Sequence, residues 1–416
     1  MSQFSFIHCS DLHLDSPFSG LSFTRPEQKK ILQEATFKSF QNIISLAIRE
    51  KTDAVVIAGD VYDSATKSLR AQLVFRDGLA RLAKNGIRSF IVHGNHDPLN
   101  TWSASLDWPE LATVFPGDRV ESTVVVRNGK PLATIYGISY PKRDVCENLV
   151  LRFNNPPEAG FAVGVLHANV GGNPDHENYA PCKIEDLISL KMDYWALGHV
   201  HNRKTLRDSS PAIVYCGNSQ GRSFRETGPR GCCLVTLRTD QQPEVIFHET
   251  AFAKLSQVDV DISKSSSIDD AIRLVTSQLQ KFIPDVEEAI SLVRLRLTGR
   301  TSLHHELKRN ESFEAVSEEI QNQFDGMGVW IDLSVETGGI CDLESLRRGN
   351  NFLADMIDLY DENGRRGGLD EVREFLRPVF ENWKGAGLLD TPSDDELKAL
   401  LMQARDLSLD RLMGPE

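Results

Sequence analysis

The chain has 416 residues, 40% of them hydrophobic and 25% charged, with a formal charge of −13 at pH 7. That length exceeds one ordinary hydrophobic core and predicts two or three domains of soluble globular type. The negative balance excludes a protein that coats nucleic acid by bulk attraction, so any phosphate-binding surface has to be local. No apolar run approaches the roughly 20 residues needed to cross a bilayer. Residues 1–10 run straight into a strand-like stretch without the basic start and small-residue cleavage site of a secretory leader. Seven cysteines without any Cys-x-x-Cys pair predict reduced thiols and a cytoplasmic protein.

In chain order, short apolar runs rich in Val, Ile and Phe predict strands at residues 4–9, 54–58, 89–92, 120–126, 133–138, 161–166, 194–197, 212–216 and 232–237. Helical spacing of Ile31, Ala35, Phe40, Ile43, Ile44 and Ala47 predicts one long helix over residues 25–50. A second helix is predicted over residues 68–84, with Gly86 as its stop. Strand–helix–strand–helix followed by further strands reads as an α/β domain with helices outside the sheets, covering residues 1–250. Residues 251–337 form a separate α+β pattern, with strands at 258–262, 291–298 and 329–335 and helices at 268–282 and 313–324. After Gly338-Gly339, residues 338–416 read as helical. Leu343, Leu346, Leu353, Met356, Ile357 and Tyr360 form an apolar stripe there, and Ser393 with Glu396 stands at capping-box spacing.

Five apolar strands end directly in polar residues of metal-ligand type. These ends carry Asp11 and His13, Gly59-Asp60 with Asp63, Gly94-Asn95-His96-Asp97, His167, and Gly198-His199-Val200-His201. Ligands bind beyond the carboxyl ends of strands in open α/β sheets, so strands in one sheet would gather these residues. In extended chain, residues i and i+2 face the same way, which predicts that Asp11 with His13, and His199 with His201, each point into one cavity. Gly59, Gly94 and Gly198 let the backbone turn where a side chain would crowd the site. Carboxylate, imidazole and amide oxygen suit hard to borderline divalent ions, and seven such groups exceed the needs of one. A cation pair bridged by one carboxylate is the economical reading.

Taken in order, Asp-x-His, Gly-Asp-x-x-Asp, Gly-Asn-His-Asp, a strand-end His and Gly-His-x-His resemble the calcineurin-like metallophosphoesterases. His167-Ala168-Asn169 with Gly171-Gly172-Asn173, the run from Asp193 to His201, and Gln220-Gly221-Arg222 resemble the SbcD/YhaO-like branch of DNA repair exonucleases. The resemblance implies a four-layer αββα sandwich, an α+β capping domain and a helical C-terminal segment. It implies one cation on Asp11, His13, Asp60 and His201, and another on Asp60, Asn95, His167 and His199, with Asp60 bridging. His96 would then protonate the oxygen leaving the scissile phosphate, with Asp97 holding its tautomer; an imidazole is the natural acid at neutral pH. Manganese is the ion the family implies, although the ligand chemistry alone also admits iron, zinc or magnesium. DNA is the implied substrate. An SbcC-like or YhaN-like ATPase is the implied partner, bound through the helical segment, and a homodimer is implied as well. Ser64-Ala65 and Asp97 stand where protein Ser/Thr phosphatases of the superfamily carry Arg-Gly and Glu, which argues against that branch.

Three further residues are candidate substrate contacts. Asp63 occupies a position that carries a supporting histidine in some family members. His176 lies in a glycine-rich loop after a ligand strand, and Arg222 offers a guanidinium fork suited to phosphate. Arg225 and Arg230 read equally as phosphate contacts or as exposed loop charges. His8, His93, His248, His304 and His305 read as core or surface residues. The expected function is a two-metal DNA nuclease, an exonuclease. A phosphodiesterase or phosphatase for small or nucleotide substrates is the second reading, and a non-catalytic scaffold for an ATPase is the third.

Overall fold

The first apolar run forms β1 (Gln3–Cys9) and opens an alternating sequence of strands and helices. There follow α1 (Pro26–Gln33), α2 (Ala35–Arg49), β2 (Ala54–Ala58), α3 (Leu69–Lys84), β3 (Arg88–Val92), β4 (Ala112–Val114), β5 (Glu121–Arg127) and β6 (Lys130–Gly137). Next come β7 (Phe161–His167), α4 (Ile184–Ser189), β8 (Tyr194–Gly198), β9 (Lys204–Arg207), β10 (Ala212–Tyr215), β11 (Gly231–Arg238) and β12 (Glu244–Glu249). This is a computed structural model, and it describes residues 2–21, 24–63, 68–104, 106–156, 160–172, 179–285, 289–349, 351–365, 367–381 and 392–413. The chain divides into two compact units, residues 1–256 with 285–292 and residues 257–284 with 293–416.

Two six-stranded sheets build the first unit, in the orders β12-β11-β1-β2-β3-β4 and β5-β6-β7-β8-β10-β9. In the first, β1, β2, β3 and β4 run parallel, and in the second β6, β7, β8 and β10 do. Side chains alternate along each strand. Phe4, Phe6, Val56 and Phe90 therefore pack between the sheets against Ile135, Val163, Val165 and Tyr194. Ile7, Val55, Ile57 and Ile91 turn the other way, onto Phe40, Ile43, Phe75 and Leu79 of α2 and α3. On the outer face of the second sheet, Leu166, Trp195 and Leu197 pack with Leu187 of α4. The order is helix, sheet, sheet, helix, the four-layer αββα sandwich. Burial on both faces explains why the central strands read as continuous apolar runs.

Two local differences separate this unit from its sequence pattern. The single helix expected over residues 25–50 is broken at Glu34, whose N–H bonds the Ile31 carbonyl at 3.1 Å, a tightened i→i−3 turn. No Gly or Pro marks that turn, so periodicity alone runs through it. The elements β4, β9, β12 and α4 carry no strong pattern because they are short or half-exposed.

β13 (Ala253–Asp261), β14 (Ile290–Thr298) and β15 (Val329–Val335) form a three-stranded sheet, whose residues 257–261, 293–298 and 329–335 belong to the second unit. Its helices are α5 (Ile268–Leu279), α6 (His304–Leu307) and α7 (Asn310–Asn322). Val260, Leu295, Leu297 and Ile331 of the sheet pack onto Val275, Leu279, Val316 and Ile320 of α5 and α7. Among the described residues, α8 (Leu343–Arg348), α9 (Phe352–Asn363), α10 (Gly368–Glu381) and α11 (Asp394–Met413) follow. Ser393 and Glu396 cap α11 reciprocally, and an Arg300–Asp410 pair at 2.7 Å ties α11 to the turn after β14. Among the described residues no helix is long and apolar enough to cross a membrane.

Candidate metal centre

The five ligand-bearing strand ends meet, but not in one sheet as expected. β1, β2 and β3 belong to the first sheet, and β7 and β8 to the second. The carboxyl ends of the two sheets coincide because the strands face each other closely: His167 Nδ1–H, at the end of β7, donates to the Ala58 carbonyl at the end of β2, 2.9 Å away. Glycine permits that approach. A Cβ on Gly59 would stand 2.4 Å from His167 Nδ1, one on Gly94 2.4 Å from Asp60 Oδ1, and one on Gly198 1.9 Å from the Ala58 carbonyl oxygen.

The reason the paired ligands converge also differs from expectation. Asp11 and His13 are not extended; their φ values are 51° and 42°, and Asp60 and His199 likewise take positive φ, 53° and 102°. Such conformations cost on the order of 1–3 kcal/mol each and persist where the surroundings over-determine them. Here the Asp11 and His13 N–H groups donate to the Gly59 and Asp60 carbonyls at 2.9 and 3.1 Å, locking the two loops together.

All seven residues of ligand type come together in one cluster, six of them buried and His201 about a quarter exposed. With its Nδ1 proton engaged by Ala58, His167 turns Nε2 inward, 2.9 Å from Asn95 Oδ1 and 3.3 Å from Asp60 Oδ2. His199 Nδ1 lies 3.3 Å from the same Asn95 oxygen. His13 Nε2 and His201 Nε2 face each other at 3.3 Å, and His201 Nε2 is 3.9 Å from Asp11 Oδ1. Donor atoms of Asp11, His13 and His201 lie within 4.8 Å of one another, as do those of Asp11, Asp60 and His167.

The charges of this cluster call for cations. Burial pushes the Asp11 carboxyl up. Asp60 meets the same burial, but His167, His13 and His96 around it hold its carboxyl well below the usual range. His167 is pushed up to about 9, because Asp60 and Asp11 outweigh the burial that opposes its charged form. Burial and the Arg222 guanidinium lower His13 well below an ordinary imidazole. Among the described residues neither Asp11 nor Asp60 pairs with Lys or Arg, and His13 Nδ1 is buried without a hydrogen-bond partner. Carboxylates buried this deeply are costly to ionise, and divalent cations held by carboxylate, imidazole and amide oxygen remove that cost. The residues fit such ions.

His96 sits at the rim, its side chain about one-third exposed, and its backbone N–H donates to Asp60 Oδ1 at 2.9 Å. The expectation that Asp97 orients its ring is corrected by the structure. Asp97 turns back beneath the loop and accepts from His93 Nδ1 at 2.8 Å, from the Gly94 N–H at 2.8 Å and from the Val61 N–H at 2.9 Å. The carboxylate beside the His96 ring is Asp63, with Oδ1 3.5 Å from Nδ1. Burial opposes the charged imidazole, but Asp63 and Asp60 outweigh it and raise the His96 pKa.

Arg222 lies close enough to influence His13, and its guanidinium stands 3.7 Å from Glu226. Arg230 is a buried structural residue that donates to the His201 carbonyl, to Asn218 Oδ1 at 3.0 Å and to Asn202 Oδ1 at 2.9 Å. Arg225 is exposed on the same loop, as a solvated loop charge would be. His176 lies outside the described residues. His8 is a core residue between the sheets, bonded to Tyr194 and Leu197. Sequence reasoning missed Glu226, whose Oε1 accepts from His201 Nδ1 at 2.7 Å; burial opposes its ionisation, but His201 and Arg222 hold its carboxyl at about 2.

A two-sheet αββα sandwich with buried Asp, His and Asn donors on its shared strand-end edge defines a metallophosphoesterase. The chain belongs to the calcineurin-like phosphoesterase family, whose profile matches residues 4–203, and residues 256–337 match the middle domain of metallophosphoesterase YhaO. It is 35% identical over 281 residues to the uncharacterized metallophosphoesterase YhaO of Bacillus subtilis, covering 68% of this chain and 69% of that protein. It is 26% identical over 228 residues to the DNA double-strand break repair protein Mre11 of Sulfurisphaera tokodaii, covering 53% of this chain and 54% of that one. Identity to the SbcD component of the SbcCD nuclease of Bacillus subtilis is 23% over 259 residues, covering 53% of this chain and 63% of that component.

Proposed function

We propose that this protein is a two-metal phosphodiester hydrolase that degrades DNA as an exonuclease. The observation that carries the reading is the gathering of six further donor side chains around Asp60, with His96 at the open rim. In this reading Asp11, His13, Asp60 and His201 hold one divalent cation, and Asp60, Asn95, His167 and His199 hold the other, manganese being the ion of choice. When bound, the cations supply Lewis-acid activation of water and neutralise phosphate charge. The chain's own residues do the rest. His96 donates a proton to the oxygen that leaves, Asp63 orients the imidazole, and Arg222 adds positive charge beside the phosphate. Asp97 acts at a distance by fixing the loop that carries Asn95 and His96. DNA as substrate is supported by the Mre11 and SbcCD relatives, a break-repair protein and a nuclease, at low identity.

The subunit designation of the SbcCD relative supports a protein partner, which the family resemblance makes an ATPase of the SbcC or YhaN kind. Helices α9 to α11 offer it exposed apolar side chains, among them Phe352, Leu359, Phe375 and Met402. A cytoplasmic location is supported by seven cysteines that are all free thiols.

The test is substrate exchange with Mn²⁺-loaded full-length protein. Linear duplex, nicked and single-stranded DNA are compared with bis(4-nitrophenyl) phosphate. Release of nucleotides from DNA ends is expected. Cleavage of the small ester alone would remove DNA from the reading and leave a small-substrate phosphodiesterase. Equal rates on DNA in wild type and His96→Ala would remove catalysis at this centre.

A further inference from the structure

Each imidazole that serves a cation has to present one nitrogen without a proton, and the partner of its other nitrogen decides which one that is. For His167 the partner is a backbone carbonyl of β2, built into the sheet. His201 has a different arrangement. Its Nδ1 lies 2.7 Å from Oε1 of Glu226, a carboxylate with only acceptors to offer, so Nδ1 carries the proton. Nε2 is then directed at His13 Nε2, 3.3 Å away, and Asp11 Oδ1, 3.9 Å away. Glu226 is itself fixed, because its Oε2 accepts from the Arg222 backbone N–H at 2.7 Å. The loop beneath pins the other end of His201, where the Asn218 N–H donates to the His201 carbonyl at 3.0 Å and the Arg230 guanidinium donates to the same oxygen. Backbone and ring are thus held from one side by a loop that supplies no ligand of its own.

We propose that Glu226 is a positioning residue for the metal centre: it sets the His201 tautomer with Nε2 facing the cation and, through its charge, makes that imidazole a stronger donor. This rests on the two-cation reading above. It also assigns Arg222 a second task, because its backbone orients the carboxylate.

The experiment titrates metal-free full-length protein with Mn²⁺, read by electron paramagnetic resonance, in wild type, E226Q and E226A. Wild type takes up two ions. E226A loses about 10–100-fold in affinity for one of them. E226Q, which retains an acceptor oxygen without the charge, falls between the two. Unchanged affinities in E226A, or equal weakening of both ions with lost folded stability, overturn the role of Glu226 alone. Wild type that binds no ion overturns the two-cation reading itself. A measurement without variants stands beside these: imidazole ¹⁵N spectra of the metal-free wild type should show His201 protonated at Nδ1. A ring protonated at Nε2 instead overturns the proposal.

Discussion

The Asp60 carboxylate spans three strand ends: its Oδ1 accepts from the His96 backbone N–H at 2.9 Å, while Oδ2 lies 3.3 Å from His167 Nε2. Its own loop, after β2, is therefore coupled to the loops after β3 and β7. Asp60→Asn keeps an oxygen for the His96 N–H but puts an amide NH₂ where an oxygen is needed. Both ions should be lost, at a cost in affinity beyond the roughly 10–100-fold typical of removing a ligand's hydrogen-bond partner. Metal analysis after gel filtration checks this, and two ions retained at full occupancy would contradict the bridging role.

His96 lies beside the cluster and is not one of the seven donors, so His96→Ala should retain both ions and still lose rate. Removing a general acid lowers turnover by about 10²–10⁴-fold. Asp63→Asn leaves the imidazole in place without its neighbouring charge, and a loss on the order of tenfold is expected, equivalent to about 1.4 kcal/mol. Both deficits should shrink on a 4-nitrophenyl ester, whose leaving group needs little protonation. Turnover on DNA and on that ester, measured side by side, would expose the alternative: equal deficits on the two substrates place these residues in binding.

The motifs were legible because each is local: an apolar run, a glycine and one or two polar residues at the strand end. The assignment of β1, β2 and β3 to one sheet and β7 and β8 to the other was not, since a central strand buried on both faces reads alike in either. Asp97 was misassigned because it is next to His96 in sequence, whereas neighbouring side chains diverge and the backbone carries Asp97 down to His93. Asp63 crosses from another strand end to take that place. Glu226 is 25 residues from His201 in a loop without periodicity, so nothing in the sequence pattern connects them.

Asp97 makes its own prediction. Asp97→Ala strips acceptors from His93 and from the Gly94 and Val61 N–H groups, all in buried surroundings. Each group left unsatisfied costs about 1–3 kcal/mol, so the variant should lose several kcal/mol of stability in urea unfolding. If Asp97 instead served proton transfer, the variant would unfold as wild type does while its turnover collapsed.

His8 ties the two sheets together as a neutral ring. Its Nε2–H donates to the Leu197 carbonyl at 3.2 Å, and its Nδ1, 3.0 Å from the Tyr194 hydroxyl, accepts from it. Burial lowers its pKa from 6.5 to about 3, against the partly opposing pull of the Leu197 carbonyl. Unfolding exposes the ring and restores the ordinary value, so between these two values the unfolded chain binds the extra proton. The stability that depends on a neutral His8 is therefore fully present above pH 6.5 and is lost as pH falls toward 3. His8→Gln cannot titrate. The stability advantage of wild type over this variant, measured by urea unfolding with chelator present, should shrink by about 1.4 kcal/mol per pH unit below the unfolded value. An advantage of the same size at both ends of that range would show that the ring is not held neutral between the sheets.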